Sequence, residues 1–278
     1  MQLFKPTTLS AAILTASMSA AHADVNVVAS IKPVHSLVAG VMQGVGTPSL
    51  IIEGAGSPHS YALKPSQARQ LQNADLVFWM SHDLEAFLEK SIEGIAANAT
   101  AVALADSHGI KKLAFREGGA FDAHDHGDHD DHGHDEHEEH GHDDHDDHGH
   151  DDHDEHEEHG HDEHDEHGHD DHDEHDHGEF DPHVWLDPIN AKAMVHEIEE
   201  ALSAADPANA AAYEANAEKM MGDLDNLVAE ITADLRPVKD KGFIVFHDAY
   251  QYFENRFGVS AVGSITVSPE VMPGAQRI

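Results

Sequence analysis

The chain has 278 residues, 40% of them hydrophobic, enough for one or two domains with a true core, and its formal charge is −39. An acidic surface of this size argues against nucleic acid and anionic lipid as partners and favours cations. With no cysteine in the chain, disulfides and thiolate metal sites are excluded, so any metal must be held by nitrogen and oxygen ligands.

Residues 1–23 read as a secretory signal. Lys5 supplies the positive start, "LSAAILTASMSA" is a short apolar stretch, and "AHA" at Ala21–Ala23 fits the small-x-small cleavage pattern before Asp24. The competing reading, a buried core helix, does not account for those flanks. The stretch is too short and too rich in Ser and Thr for a membrane span. An exported, soluble protein beginning at Asp24 is expected.

From residue 25 the pattern alternates. "VNVVASI" reads as a strand, "HSLVAGVMQ" after Pro33 as a helix, "SLIIE" as a strand and "SQARQLQ" as a short helix. "DLVFWM" is a third strand, a helix follows over about 83–97, and "AVALA" is a fourth strand. Short apolar strands separated by helices predict a largely parallel α/β sheet.

Residues 122–179 form a low-complexity insert with 29 of the 54 acids, 21 of the 29 histidines and no Lys or Arg. "HGH" recurs at 132, 140, 148, 159 and 167, a degenerate octad repeat. No apolar residue occurs between His124 and Gly178. Such a segment cannot bury surface to offset its ordering entropy, so disorder is expected. Imidazole and carboxylate suit Zn, Ni, Cu or Co, and many overlapping ligand sets imply weak, exchanging, poorly selective sites. An acidic spacer is the plainer alternative, but acid alternating with histidine over this length favours metal capture. A high-affinity site needs fixed geometry on a folded scaffold, which turns attention to the other eight histidines.

After the insert, "DPINAKAMVHEIEEALSAA" opens with Asp187 as N-cap and Pro188 at the first helical position. Asp206 and Pro207 repeat the signal, predicting a helix from Pro207 to Leu235 with an apolar stripe of Tyr213, Ala217, Met220, Leu224, Leu227, Ile231 and Leu235. At 1.5 Å per residue it would reach roughly 43 Å, long enough for a strut between two lobes. "GFIVFH" reads as a buried strand, "DAYQYFENRF" as a helix capped by Asp248, and "VSAVGSITV" as another strand. Residues 238–278 are too few to close a core of their own, so an incomplete second lobe is expected.

His22 lies in the signal, and His35, His82, His108 and His196 read as surface or locally bonded side chains. His59 in "GAGSPHSYALKPS" follows a strand by a Gly/Ser/Pro loop, the position where open α/β sheets bind ligands. His183 in "DPHVWLDP" is bracketed by two stiffening Asp-Pro steps, with Val184 and Trp185 available to bury it. His247 closes the strand "GFIVFH". Each alone reads as a ligand or as a hydrogen-bonded structural residue. Three at rigid loop or strand-end positions match the three-histidine set of an open tetrahedral zinc site.

"SPHSYALKPSQARQLQNADLVFW", "DPHVWLDPINA", "DPANAAAYEANA", "FIVFHDAYQYFENRFG" and "VSPEVMPGAQRI" resemble signatures of the metal-binding (cluster A-I) family of ABC-transporter solute-binding proteins. An acidic, His-rich insert is typical of its zinc branch. The resemblance covers about Val25 to Ile278. It implies an α/β fold of two lobes, each a mainly parallel sheet with flanking helices, joined by a long rigid helix, with metal in the cleft between them. It implies His59 and His183 from the first lobe and His247 from the second as ligands of Zn²⁺, the transported ion. Manganese members carry a carboxylate where His247 stands; three nitrogens suit zinc better. The family often adds an acid from the second lobe, in a region beyond Ile278, and some zinc members place an acid where Pro58 stands here.

The expected division is a signal at 1–23, a first lobe at 24–121 and 180–206, the insert at 122–179, a linking helix at 207–237 and the start of a truncated second lobe at 238–278. The expected function is a periplasmic zinc receptor delivering Zn²⁺ to an inner-membrane ABC permease, with the insert as a low-affinity collector or sensor. A periplasmic zinc chaperone is a further candidate partner, nucleic acid is not, and a monomer is expected. A metal buffer centred on the insert is the alternative. A zinc hydrolase is more remote: three histidines plus water is a catalytic arrangement, but no HExxH or GxSxG is present, and no enzyme is expected.

Overall fold

The computed structural model describes residues 25–116 and 180–266. The expected signal, the whole insert and the stretch "VSPEVMPGAQRI" lie outside the described residues.

The first sheet has four parallel strands: β1 (Val27–Ala29), β2 (Ser49–Leu50), β3 (Leu76–Trp79) and β4 (Thr100–Ala103), in the order β2-β1-β3-β4. Helices α1 (Lys32–Val41), α2 (Pro65–Gln72) and α3 (Ala86–Ile95) connect them in turn, as the alternating pattern predicts. Every residue of β1 and β3 is buried. Strands covered on both faces read as unbroken apolar runs, which is why these two were legible. Pro33 lies in the first turn of α1, and Val34, Val38 and Val41 seat its buried face at helical spacing.

"SLIIE" yields only two strand residues. The Ile51 and Ile52 amides still donate to Ala29 O and Ser30 O at 2.9 Å each, and both side chains are buried. The chain then turns away at Gly54, whose φ of 71° suits glycine best.

Helix α4 (Pro188–Ala205) begins as expected: Asp187 accepts a hydrogen bond from the Ile189 amide at 2.9 Å, with Pro188 in the first turn. Ala191, Met194, Val195, Ile198 and Leu202 bury one face. Helix α5 (Ala210–Leu235) starts three residues later than expected, with Asn209 at its N-cap position. The Asp206 carboxylate is taken by the Tyr213 hydroxyl at 2.9 Å and the Asn209 amide at 2.6 Å, so it braces the turn between the helices instead of opening the second one. Tyr213 and Ala217 are buried and Met220 and Leu224 pack on the core, but Leu227 is 40% exposed. Only the first half of α5 is seated against the core.

Two parallel strands, β5 (Phe243–Val245) and β6 (Ala261–Ser264), joined through α6 (Gln251–Phe257), form a second sheet. The expected buried strand is buried only at Val245: Ile244 is 68% and Phe246 58% exposed, because one face of this sheet has no packed layer among the described residues. Helix α6 starts at Gln251, not 248, and Tyr250 occupies its N-cap position without a side-chain cap. Asp248 does not cap it; its carboxylate is held by Arg116. Gly258, at φ 66°, ends the helix in the left-handed conformation. No helix among the described residues is long and apolar enough to cross a membrane.

Candidate metal centre

His59 stands in the loop after β2. The loop's far side is pinned by the buried Gln67, whose amide donates to Ile51 O at 2.6 Å and to the Tyr61 hydroxyl at 2.8 Å. The Lys64 amide donates back to Gln67 Oε1 at 2.8 Å. Lys32 Nζ donates to Gly54 O at 2.6 Å and fixes the near side. A Gly/Ser/Pro-rich segment is thereby held in one conformation, with His59 half-buried.

His183 is buried at the entry to a single 3₁₀ turn (Val184–Leu186) leading into α4. Asp181, fully buried, accepts from His183 Nδ1 at 2.7 Å and from the His183 amide at 3.0 Å on the same oxygen. A carboxylate only accepts, so Nδ1 is the donor in this bond and Nε2 is the ring nitrogen available to an ion. A carboxylate behind a histidine fixes tautomer and ring orientation and raises its basicity as a ligand. Gln251 Nε2 donates to the other Asp181 oxygen at 3.2 Å, and Tyr252 donates to Asp181 O at 2.8 Å. Trp185 lies against the His183 ring, centroids 5.3 Å apart.

His247 follows β5 by two residues, where the His247 carbonyl accepts from the Ala249 amide at 3.0 Å in a tight corner before α6. The structure brings all three histidines together. Ring centroids are 5.4 Å apart for His59–His183, 6.1 Å for His59–His247 and 5.4 Å for His183–His247. One nitrogen from each lies within 4.8 Å of the others. Around a tetrahedral ion with Zn–N bonds of about 2.0–2.1 Å, ligand nitrogens stand roughly 3.3–3.4 Å apart. The observed separations differ from that spacing by an amount that small side-chain movements would close. Among the described residues this is the only group of three or more His, Asp or Glu side chains so placed.

His22 lies outside the described residues; His35, His82, His108 and His196 behave as expected, with His108 exposed. His35 bonds to Pro48 O at 3.1 Å, His82 pairs with Glu89 at 2.6 Å, and His196 faces Glu199 and Glu200. Asp181 was missed as a supporting group, although Asp-x-His in "DPH" was a usable signal. The four bonds of Arg116 and the buried Glu85 had no local signal at all. Burial lifts the Glu85 carboxyl to about 7, offset in part by the Ser30 hydroxyl and the Met80 and Ser81 amides.

The sequence matches the profile of the family described as "Zinc-uptake complex component A periplasmic" over residues 27–278. It is 55% identical over 252 residues to the "High-affinity zinc uptake system protein ZnuA" of Brucella abortus (strain 2308), covering 91% of this chain and 70% of that protein. Its fold is similar to that in a "Crystal structure of ZnuA", with TM-score 0.64 and 20% identity over 92% of this chain and 75% of the other. It is also similar to Zn(II)-bound AdcA from Streptococcus pneumoniae, with TM-score 0.60 and 21% identity over 92% of this chain and 42% of the other. At such identities the structural likeness speaks for the α/β fold; the family rests on the profile and on the close relative. On both grounds, the chain belongs to the family of periplasmic zinc-uptake complex component A proteins.

Proposed function

We propose that this chain is a zinc receptor: His59, His183 and His247 hold Zn²⁺ as cargo, and the protein hands the ion to the permease of an ATP-driven importer. The observation that carries this reading is the approach of three imidazole nitrogens to within 4.8 Å, contributed by segments far apart in sequence. Three neutral nitrogen donors favour zinc over manganese, which prefers oxygen. A carboxylate-backed histidine and two rigid turns give the fixed geometry that tight binding requires.

In this reading residues 24–121 and 180–206 make the first lobe, 207–237 the linker and 238–278 the start of the second. The insert at 122–179 collects zinc at low affinity and serves the site without being the site. The protein acts in the periplasm as a monomer, after loss of residues 1–23.

The test is a zinc titration against a nanomolar chelator, on the chain lacking residues 122–179 and on its His59→Ala, His183→Ala and His247→Ala variants. One tight equivalent is expected, lost in each variant. A tight equivalent that survives all three substitutions defeats the reading. One that disappears with the insert and persists in full-length histidine variants makes the protein a metal buffer.

A further inference from the structure

Arg116 lies two positions past the Ala114–Phe180 bridge, on the N-terminal side of the insert in sequence. Its guanidinium makes four hydrogen bonds. Nε donates to Asp248 Oδ2 at 2.8 Å and Nη2 to Asp248 Oδ1. Nη1 donates to Glu254 Oε2 at 3.0 Å and Nη2 to Glu254 Oε1 at 2.8 Å. Asp248 directly follows His247, and Glu254 is a buried residue of α6 whose Oε2 also accepts from the Ala261 amide at 2.8 Å.

From this geometry we infer that Arg116 is a positioning residue for His247; the inference rests on the reading of the three histidines as a zinc site. Asp248 caps no helix, so its carboxylate is committed to Arg116. It sits in the 247–249 corner, where any displacement is passed along the backbone to the neighbouring imidazole. Two carboxylates, one of them buried, share a single guanidinium. Without that cation they repel, and the side chain free to retreat is Asp248, the more exposed of the two. Burial works against the Arg116 charge, but the bonds to Asp248 and Glu254 outweigh it and raise its pKa above the ordinary value. Only a planar fork engages both acids at once; an ammonium supplies the charge without the geometry. Arg116 and His247 stand 131 positions apart in the sequence.

The experiment uses the full-length chain, with zinc affinity read against a nanomolar chelator, Co²⁺ visible absorption as a report of coordination, and Tm. The variants are Arg116→Gln, Arg116→Lys, His183→Ala as the site control and Leu202→Ala as a stability control in the core of α4. Supporting partners of metal ligands typically govern affinity by about 10–100-fold. Arg116→Gln is expected to weaken zinc at least about 10-fold and to alter the Co²⁺ spectrum. Arg116→Lys recovers part of that loss, and Leu202→Ala lowers Tm while keeping the tight step. Wild-type affinity in folded Arg116→Gln overturns the inference, as does a loss no greater than Leu202→Ala shows at equal Tm. If Arg116→Gln does not fold, Arg116→Lys decides: a loss of at least about 3-fold supports the role, and none overturns it. Wild-type protein without a tight step, or His183→Ala retaining it, brings down the zinc-site reading and this inference with it. A tight step lost in His183→Ala but untouched in the Arg116 variants removes this inference alone.

Discussion

Every residue of β3 is buried, whereas in β5 only Val245 is; Ile244 beside it is 68% exposed. The first sheet is held by apolar layers on both faces. The second is tied to the rest of the described fold largely through α6, by Arg116 to Asp248 and Glu254, Arg256 to Asp187, Gln251 to Asp181 and the Tyr252 hydroxyl to Asp181 O. His59 and His183 therefore belong to the part of the fold closed by packing, each with its own local hydrogen bonds, and His247 to the part tied mainly by a directional polar network. Packing spreads its load over many contacts, so a lost one costs stability without redirecting a particular distant side chain. A network of charged bonds depends on geometry and fails when one member is removed. The third histidine is the one whose position a single distant substitution can change.

The sharpest test of this contrast is Phe78→Ala in β3, which should cost about 3–5 kcal/mol by urea unfolding. A cost below about 1 kcal/mol would remove the distinction between the sheets.

Next is Glu85, sealed in the first region with no exposed surface. Its folded pKa of about 7 lies above its ordinary 4.5, so the folded state binds its proton more tightly than the unfolded one. The associated stability is complete below about pH 4.5 and is lost as pH rises through about 7. Glu85→Gln removes that loss. Its stability relative to wild type should rise by about 3 kcal/mol from the low to the high end of this window. Parallel pH curves for the two proteins would show that the carboxyl is not sealed.

A smaller effect is expected at Asp181→Asn, which keeps an acceptor beside His183 but removes the charge behind its ring. Zinc affinity should fall about 10–100-fold with little change in Tm. Unchanged affinity would mean that packing alone orients His183.

Smallest is Ile244→Thr on the open face of β5, expected within about 0.5 kcal/mol of wild type. A cost above 2 kcal/mol would show that this face is covered in solution.

What was legible in the sequence follows from the range of the forces involved. Asp187 and Pro188 announced α4 because a helix cap acts within four residues. β1 and β3 were readable because burial on both faces leaves an unbroken apolar run. Each histidine could be picked out from its own loop or strand end, and the family resemblance grouped them. Their approach is tertiary: His59 and His247 lie 188 positions apart. The errors fell where a side chain had two plausible employments. Asp206 and Asp248 both precede helices, and both are claimed elsewhere, by Tyr213 with Asn209 and by Arg116. Local propensity names the acid but not the distant donor that outbids the cap.

The Ala114–Phe180 bridge has a consequence for how such a protein can vary. Ala114 and Phe180, which flank the insert in sequence, are paired rungs, with the Asp181 amide bonded to Leu113 O at 2.9 Å. For a long loop between fixed ends, each doubling of length adds only about 0.6 kcal/mol of closure cost. Gaining or losing an "HGH" octad is therefore nearly invisible to the scaffold. Changes in repeat number are then decoupled, in folding terms, from the packing that places the three histidines.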